Sequence, residues 1–338
     1  MADTLRDIER AQFLGRAGWA DATRHPLKGD ASFRRYFRLE RNGQSAMLMD
    51  APPTHEDVRP FVTVDRHLRD LGFSAPRILA EDEGLGFLLL EDFGDATFTN
   101  LLASGADEAD LYRLGTDVLV ALHAIDKSVA APDWLPPYND QRLLAEAALL
   151  LDWFMPAQGI MVTTRARAEY ERIWQGLFAH AHAGPRTLVL RDHHVDNLMR
   201  LDGRDGIKGC GLLDFQDALA GHPAYDLMSL LEDARRDIPD ALQAEMKARY
   251  FDALGVHGPD REAFQRVYAI LAAQRHAKII GIFTRLDRRD RKPVYLHHIP
   301  RVWRLFERAL AHPALIAMRM WVDTHIPAAK RTTPEAES

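Results

Sequence analysis

Apolar positions along the chain fall into two regimes. Up to residue 94 the runs are short: Leu5, Ile8, Phe13 and Leu14 give a loosely amphipathic helix, and residues 33–39 and 46–49 read as strands joined by the turn pair Asn42-Gly43. Phe61, Val64, Leu68 and Leu71 recur at helical spacing over 57–71, and Gly72 closes that helix. Residues 76–80 and 87–90 are again strand-like, with a turn over 83–86. By strand alternation Arg34, Tyr36 and Arg38 share one face, while Phe33, Arg35 and Phe37 share the other, with Phe33 and Phe37 expected to face a core. The pattern predicts a small β-rich lobe carrying one helix.

From about residue 95 long amphipathic helices take over, among them 110–125, 140–154, 165–182, 239–254 and 262–283. Two short apolar runs, 187–190 and 207–213, interrupt them, each reading as a buried strand that delivers a polar residue at its end. The change of regime falls at Glu91-Asp92-Phe93-Gly94-Asp95, where a strand stops and Gly94 frees the backbone. An α/β (α+β) bilobal chain is expected: a small lobe and hinge over 1–94, a larger helical lobe over 95–326, and a frayed, Pro-, Thr- and charge-rich tail over 327–338.

Composition narrows the function. The 338 residues, 47% hydrophobic and 27% charged, suffice for a sizeable core, and a net charge of −6 gives no basic field for nucleic acid or anionic membrane. A small-molecule ligand is the first expectation, and no obligate protein partner is predicted. Cys210 is the single cysteine, which excludes an intramolecular disulfide and a cysteine zinc cluster and suits a reducing cytoplasm. Charged residues through positions 1–10 break up any signal-peptide core, and the densest apolar stretch, 143–154, is interrupted by Glu146 and Asp152 and too short to span a bilayer.

The chemistry concentrates in Leu190-Arg191-Asp192-His193-His194-Val195-Asp196-Asn197-Leu198. An aspartate followed five residues later by an asparagine, directly after a buried strand, matches a kinase catalytic loop: Asp192 orients and accepts the proton of an attacking hydroxyl, while the Asn197 amide oxygen holds magnesium. Alone this spacing is common by chance. A second segment, Gly211-Leu212-Leu213-Asp214-Phe215-Gln216-Asp217, sets Asp214 at the end of another apolar strand, at a separation suited to a hairpin, with an oxygen ligand for a hard dication. Its Asp-Phe pair matches the metal-binding Asp-Phe-Gly of kinases, with Gln216 in the glycine position. Gly221-His222-Pro223-Ala224-Tyr225-Asp226-Leu227 follows at once.

In order and spacing these segments resemble the aminoglycoside phosphotransferases and related sugar and choline kinases. The resemblance covers nearly the whole chain, with Leu88-Leu89-Leu90-Glu91-Asp92 at the interlobe hinge. It implies a protein-kinase-like fold with ATP between the lobes and its adenine against Glu91, Asp92 and Phe93, Mg2+ on Asn197 and Asp214, and Asp226 as a structural residue. The short 217–223 interval leaves no room for a phosphorylatable activation loop, so a small-molecule acceptor follows.

Gly29-Asp30-Ala31-Ser32-Phe33-Arg34-Arg35-Tyr36-Phe37-Arg38, Met47-Leu48-Met49-Asp50-Ala51-Pro52-Pro53 and Leu213-Asp214-Phe215-Gln216-Asp217-Ala218 narrow the resemblance to bacterial anomeric kinases of N-acetylmuramate and N-acetylglucosamine. That resemblance implies an amino-sugar substrate, phosphorylation at its C1 hydroxyl, and a place in cell-wall recycling. A kinase of another small alcohol, such as an aminoglycoside, choline or homoserine, is the rival within the fold, and a nucleotide-binding pseudokinase is the rival outside enzymes.

The chain departs from the kinase pattern at one strand. The phosphate-binding lysine position falls at Met49, and Lys28 is the only lysine before Lys127. Arginines of the first hairpin are the expected substitutes, Arg34 ahead of Arg35 and Arg38, because guanidinium clasps phosphate oxygens bidentately. Ser32 and the amides of the 29–32 turn are expected to cover the phosphates. His193 and His194 are read as backbone buttresses, and Asp217 as either a second metal contact or a cap. For the sugar, Tyr138, Glu146 and Trp153 combine aromatic platforms with a carboxylate, Glu146 and Trp153 lying seven apart on one helix face. On the late helix Gln274, Arg275, Lys278 and Arg285 are candidates for a lactyl carboxylate, Arg275 foremost for the substrate.

Overall fold

The structure, a computed structural model, describes residues 2–27 and 34–336. Ser32, the 29–32 turn and Phe33 lie outside the described residues. The chain divides into two compact units, one comprising residues 1–108 with 195–217, the other 109–194 with 218–338.

In the first unit five antiparallel strands, β1 (Thr23–Pro26), β2 (Arg35–Arg41), β3 (Gln44–Asp50), β4 (Ile78–Asp82) and β5 (Phe87–Glu91), take the order β1-β2-β3-β5-β4. Asn42 and Gly43 both adopt positive φ, 49° and 73°, as a two-residue hairpin turn requires. Alternation then sorts the side chains. Phe37, Leu39, Ala46, Leu48, Phe87 and Leu89 pack with Phe13 and Leu14 from the N-terminal helix Ala2–Arg16. Asp50 anchors that helix from full burial: Arg6 Nε and Nη2 donate to its Oδ1 at 2.8 and 2.7 Å, and Arg10 Nε and Nη2 to its Oδ2 at 3.1 and 2.7 Å. Two arginines, each placing two N–H donors on one oxygen, satisfy both carboxylate oxygens, which is what makes so deep a charge tolerable.

A separate hairpin, β7 (Leu198–Arg200) with β8 (Cys210–Leu212), completes this unit. Gly211 bridges Ser74, Leu212 N–H donates to Ser74 O at 2.8 Å, and Ser74 Oγ–H donates to Lys208 O at 2.8 Å. A Cβ on Gly211 would lie 2.8 Å from the Phe93 ring, so glycine is what lets the hairpin close on that residue.

The second unit is helical, with β6 (Thr187–Val189) and β9 (Leu219–Gly221) as its antiparallel strand pair. Its axis is the 33-residue helix Gly258–Asp290. Burial covers every residue from Val267 to Gly281, so no clean apolar stripe marks it in the sequence. Thr163 and Asn139 cap the helices Thr164–His182 and Asp140–Ala147 by accepting N–H bonds from Ala166 and Arg142.

Two expectations differ from the structure here. The helix read over 140–154 ends at Ala147 and continues as a π-helical turn, Leu150–Phe154. That wider turn breaks the rule placing Glu146 and Trp153 on one face. The tail, expected to fray, is described to Ala336 and holds to this unit. Arg331 donates to Ile326 O, Glu307 and Asp323 at 3.0, 2.9 and 2.6 Å, and Gln158 Nε2 donates to Thr332 O at 2.7 Å. Its charge finds partners, which composition does not reveal. Among the described residues no helix is long and apolar enough to cross a membrane.

Candidate active site

In the second unit the buried strand β6 ends in a strained loop. Leu190 and Arg191 N–H donate to the Asp226 carboxylate at 2.6 and 2.9 Å, and Arg191 sits in the left-handed region at φ 71°. Outside glycine that conformation persists only when surroundings enforce it. Asp226 supplies part of the enforcement. Its carboxyl is pushed up to about 7 by burial, against the pull of those two amide donors.

The Arg191 side chain supplies the rest. Its guanidinium binds Glu146, which also accepts from the Tyr138 hydroxyl, from Gln274 Nε2 at 3.0 Å, and from Lys278 Nζ at 3.2 Å. Both Glu146 oxygens are thereby engaged. Burial raises the Glu146 carboxyl, but Lys278 and Arg191 outweigh it and leave it below its ordinary value.

Asp192 follows directly. Its N–H donates to Leu190 O at 2.9 Å, its carbonyl accepts His194 N–H at 3.1 Å, and its carboxylate lies 3.8 Å from Arg275 Nη2 with 39% of the side chain still exposed. Partial burial raises its pKa, yet Lys278, Arg275, His194 and Arg191 together hold it at about 2. The group is an ionised, accessible carboxylate on a fixed loop. His193 donates from Nε2 to Gly115 O at 3.1 Å and is buried, the buttress role expected of it.

In the first unit, the hairpin β7–β8 fixes two oxygen-bearing side chains. Leu198 pairs with Leu212, and Leu213 N–H donates to Asn197 O at 3.0 Å, leaving Asp214 one residue beyond the last rung with φ 57°. Asp214 Oδ1 accepts from Gln216 Nε2 at 2.8 Å and lies 3.7 Å from Arg34 Nη1. Phe215 is buried against Phe61 of the helix Arg59–Asp70, their centroids 4.9 Å apart, which fixes the backbone after Asp214.

Arg34 is braced on its other side by Glu56, whose Oε2 accepts from Nε and Nη2 at 3.3 and 3.2 Å. Met49 lies 1% exposed in the sheet, paired with Tyr36 and Leu88, so an apolar residue does occupy the strand position where a lysine would stand. The loop residue Glu56 was invisible to pattern reading, since nothing periodic marks residues 51–58.

Asn197 and Asp214 fit a magnesium ion. An amide oxygen and a carboxylate are hard donors, and Mg2+ is commonly held by one or two carboxylates plus phosphate oxygens. Among the described residues no group of three or more His, Cys, Asp or Glu side chains forms a metal cage, and such a site needs none.

Glu91 accepts from Arg204 Nη2 at 2.6 Å and from Arg77 N–H at 3.2 Å, and its own N–H donates to Arg77 O at 2.8 Å. Asp92 is engaged by Arg38 Nε at 2.8 Å and accepts Gly94 N–H at 2.9 Å. The Phe93 ring lies beneath the Arg204 guanidinium at 5.3 Å.

A loop with an ionised Asp, and an Asn–Asp hairpin after it, carry groups suited to phosphoryl transfer, and residues 23–269 match the sequence pattern of the phosphotransferase enzyme family. The chain belongs to that family. An N-acetylmuramate/N-acetylglucosamine kinase of Caulobacter vibrioides is 36% identical over 96% of this phosphotransferase and 98% of its own length. A Pseudomonas aeruginosa kinase of the same name is 39% identical over 87% of this chain and 86% of its own. Among solved structures, the streptomycin–ATP complex of APH(2'')-IIa shares the fold at TM-score 0.56 and 15% identity, over 91% of this chain and 97% of the other.

Of the sugar candidates in this phosphotransferase, Tyr138 is buried, its hydroxyl on Glu146 and its ring 5.2 Å from Tyr225. Tyr138 and Glu146 therefore come together around Arg191. Trp153 stands half-exposed in the π-helical turn, and Arg275 is beside Asp192.

Proposed function

We propose that this phosphotransferase is an ATP-dependent sugar kinase that phosphorylates the C1 hydroxyl of N-acetylmuramate and N-acetylglucosamine in the cytoplasm, as a step of cell-wall recycling. The observation that carries the reading is Asp192, held ionised and accessible on a loop fixed by Asp226 and Glu146, in a chain similar over nearly its whole length to kinases of these two sugars.

In the proposed reaction the Asp192 carboxylate accepts a hydrogen bond from the C1 hydroxyl and aims its oxygen in line with the γ-phosphorus. The new O–P bond forms as the bond to the β-γ bridging oxygen breaks, the hydroxyl proton passes to Asp192, and ADP leaves. A carboxylate of pKa about 2 takes that proton late, so orientation is its larger contribution. Asn197 and Asp214 would hold Mg2+, which neutralises phosphate charge when bound. Arg34, steadied by Glu56, offers a cation beside Asp214 in place of the absent strand lysine, an arrangement that favours an enzyme over a pseudokinase.

Incubation with Mg-ATP and N-acetylmuramate, followed by phosphorus NMR, tests class and regiochemistry together. A sugar 1-phosphate is expected. Equal turnover of the C1-blocked methyl glycoside, or phosphate on another hydroxyl, would end the anomeric reading.

A further inference from the structure

At the loop end of the hairpin β7–β8, wholly within the first unit, lies a cavity of about 290 Å³. Three separate stretches of chain wall it: Arg69 and Phe73 from the end of the helix Arg59–Asp70, Arg77 and Glu91 from the ends of β4 and β5, and Arg204 and Lys208 from the loop of the hairpin. Among the described residues that line it, four cations meet one acid. Glu91 serves two of them, its Oε1 accepting from Arg204 Nη2 at 2.6 Å and its Oε2 lying 3.4 Å from Arg77 Nε. The side chains of Arg69 and Lys208 make no hydrogen bond or ion pair among the described residues. Asp65, one turn before Arg69, does not supply one, since neither of its buried oxygens is bonded. The cavity beside Asp152 and Arg167, by contrast, has one acid for its one base.

We propose that the cavity between Arg69, Arg77, Arg204 and Lys208 is an anion site that takes a phosphate dianion, free or as the phosphate group of a small monoester. Cations gathered around a shared hollow repel one another, and a doubly charged anion removes that repulsion while offering each guanidinium a pair of oxygens. The single Glu91 carboxylate cannot do this for all four. Arg204 is fixed in place by Glu91 and by the Phe93 ring at 5.3 Å, so part of the ordering cost is met before a ligand arrives. The apolar Phe73 and Ala75 also line the cavity, and its volume is close to the lower end of the about 300–1,000 Å³ of small-molecule sites, which leaves room for a small organic body on the phosphate.

This site is separate from the phosphate that the proposed reaction transfers. Arg200 pairs with Cys210 at the loop end of the hairpin, where Arg204 and Lys208 stand, whereas Leu198 pairs with Leu212 at the other end, beside Asn197 and Asp214. The inference goes beyond the sugar-kinase reading and does not depend on it.

The test is calorimetric titration of the full chain at about pH 7.5, where phosphate is largely dianionic, and about 50 mM salt, with inorganic phosphate and with N-acetylglucosamine 1-phosphate in separate runs. At least one of the two should bind one to one, and their relative affinities identify the source of the phosphate. The double variant R69Q/K208Q should raise the Kd of the titrant that binds at least about tenfold, because two charge-assisted contacts are lost. Both side chains are exposed, so its urea midpoint should match that of wild type. R34Q, which removes the cation beside Asp214, should leave that Kd within about twofold. No binding of either titrant, a Kd that R69Q/K208Q leaves unchanged, or an equal loss in R34Q would overturn the proposal. None of these readouts needs turnover, so a protein that phosphorylates neither sugar would remove the kinase reading and leave this one standing.

Discussion

The carboxylate of Asp192 is surrounded by more positive charge than it neutralises, with Lys278, Arg275, His194 and Arg191 all lowering its pKa to about 2. It is therefore charged through the whole working range, and no acid limb assignable to it should appear in kcat/KM above about pH 4. Asp192→Asn keeps the size and removes the base. We expect kcat to fall by about 10³-fold while the ADP dissociation constant, from calorimetry, stays within about twofold. Loss of ADP affinity in proportion to the rate would show that the residue serves binding instead. Glu146 carries a different prediction, because it holds Arg191 and Lys278 rather than any reacting atom. Glu146→Gln leaves two buried cations underpaired, and a loss of about 3 kcal/mol in urea unfolding is expected, together with a fall in kcat as the loop loosens. The proposed site residues Asp192, Asn197 and Asp214 are legible in the sequence because the proposed chemistry dictates their spacing along one stretch of chain. Glu56 was not legible, since it meets Arg34 from a loop 22 residues away.

At the scale of elements, the crossing at Gly281 controls how the long helix presents its polar face. A methyl there would come 2.3 to 2.5 Å from Leu149 backbone and Cβ atoms, so the two segments must part. Gly281→Ala should cost about 1–3 kcal/mol and lower the melting temperature, even though alanine is the better helix former. An unchanged or higher melting temperature would mean that the helices separate freely at that point. The sequence pattern located the strands β2, β3 and β5, the helix Arg59–Asp70 and the helices Glu108–Ala124, Thr164–His182 and Asp240–Ala253 to within a few residues, because the apolar positions recur at a fixed period, whereas the helix read over 262–283 runs over Gly258–Asp290, buried all round along its middle. It missed β1, whose residues Thr23–Pro26 are all exposed and end in proline, and β9, only three residues long. The π-helical turn was equally hidden: its residues suit an α-helix, and the widening comes with the packing around it.

For the whole molecule, the arrangement least visible in the sequence is the membership of residues 195–217 in the first unit, made by long-range pairing of Ser74 with Gly211 and Leu212. That unit also carries a carboxyl whose titration should register in global stability. Asp65, on the helix Arg59–Asp70, is 1% exposed with neither oxygen hydrogen-bonded, and burial pushes it up to about 7 against the opposing charges of Arg69 and Arg66. An unfolded aspartate titrates near about 3.9. Below that pH both states are protonated and the group exacts no penalty. Between about pH 4 and 7 the folded chain keeps a proton that the unfolded chain has released, so stability falls as pH rises, by up to about 1.4 kcal/mol per unit. Above about pH 7 the slope vanishes and the full penalty remains. Asp65→Asn has the same shape and no proton to exchange. Its stability relative to wild type, from urea midpoints, should therefore improve between pH 5 and pH 8, by up to about 3 kcal/mol. Parallel pH profiles for the two proteins would mean that Asp65 is ionised in the native state and that water or a neighbouring group supplies the hydrogen bonds it needs.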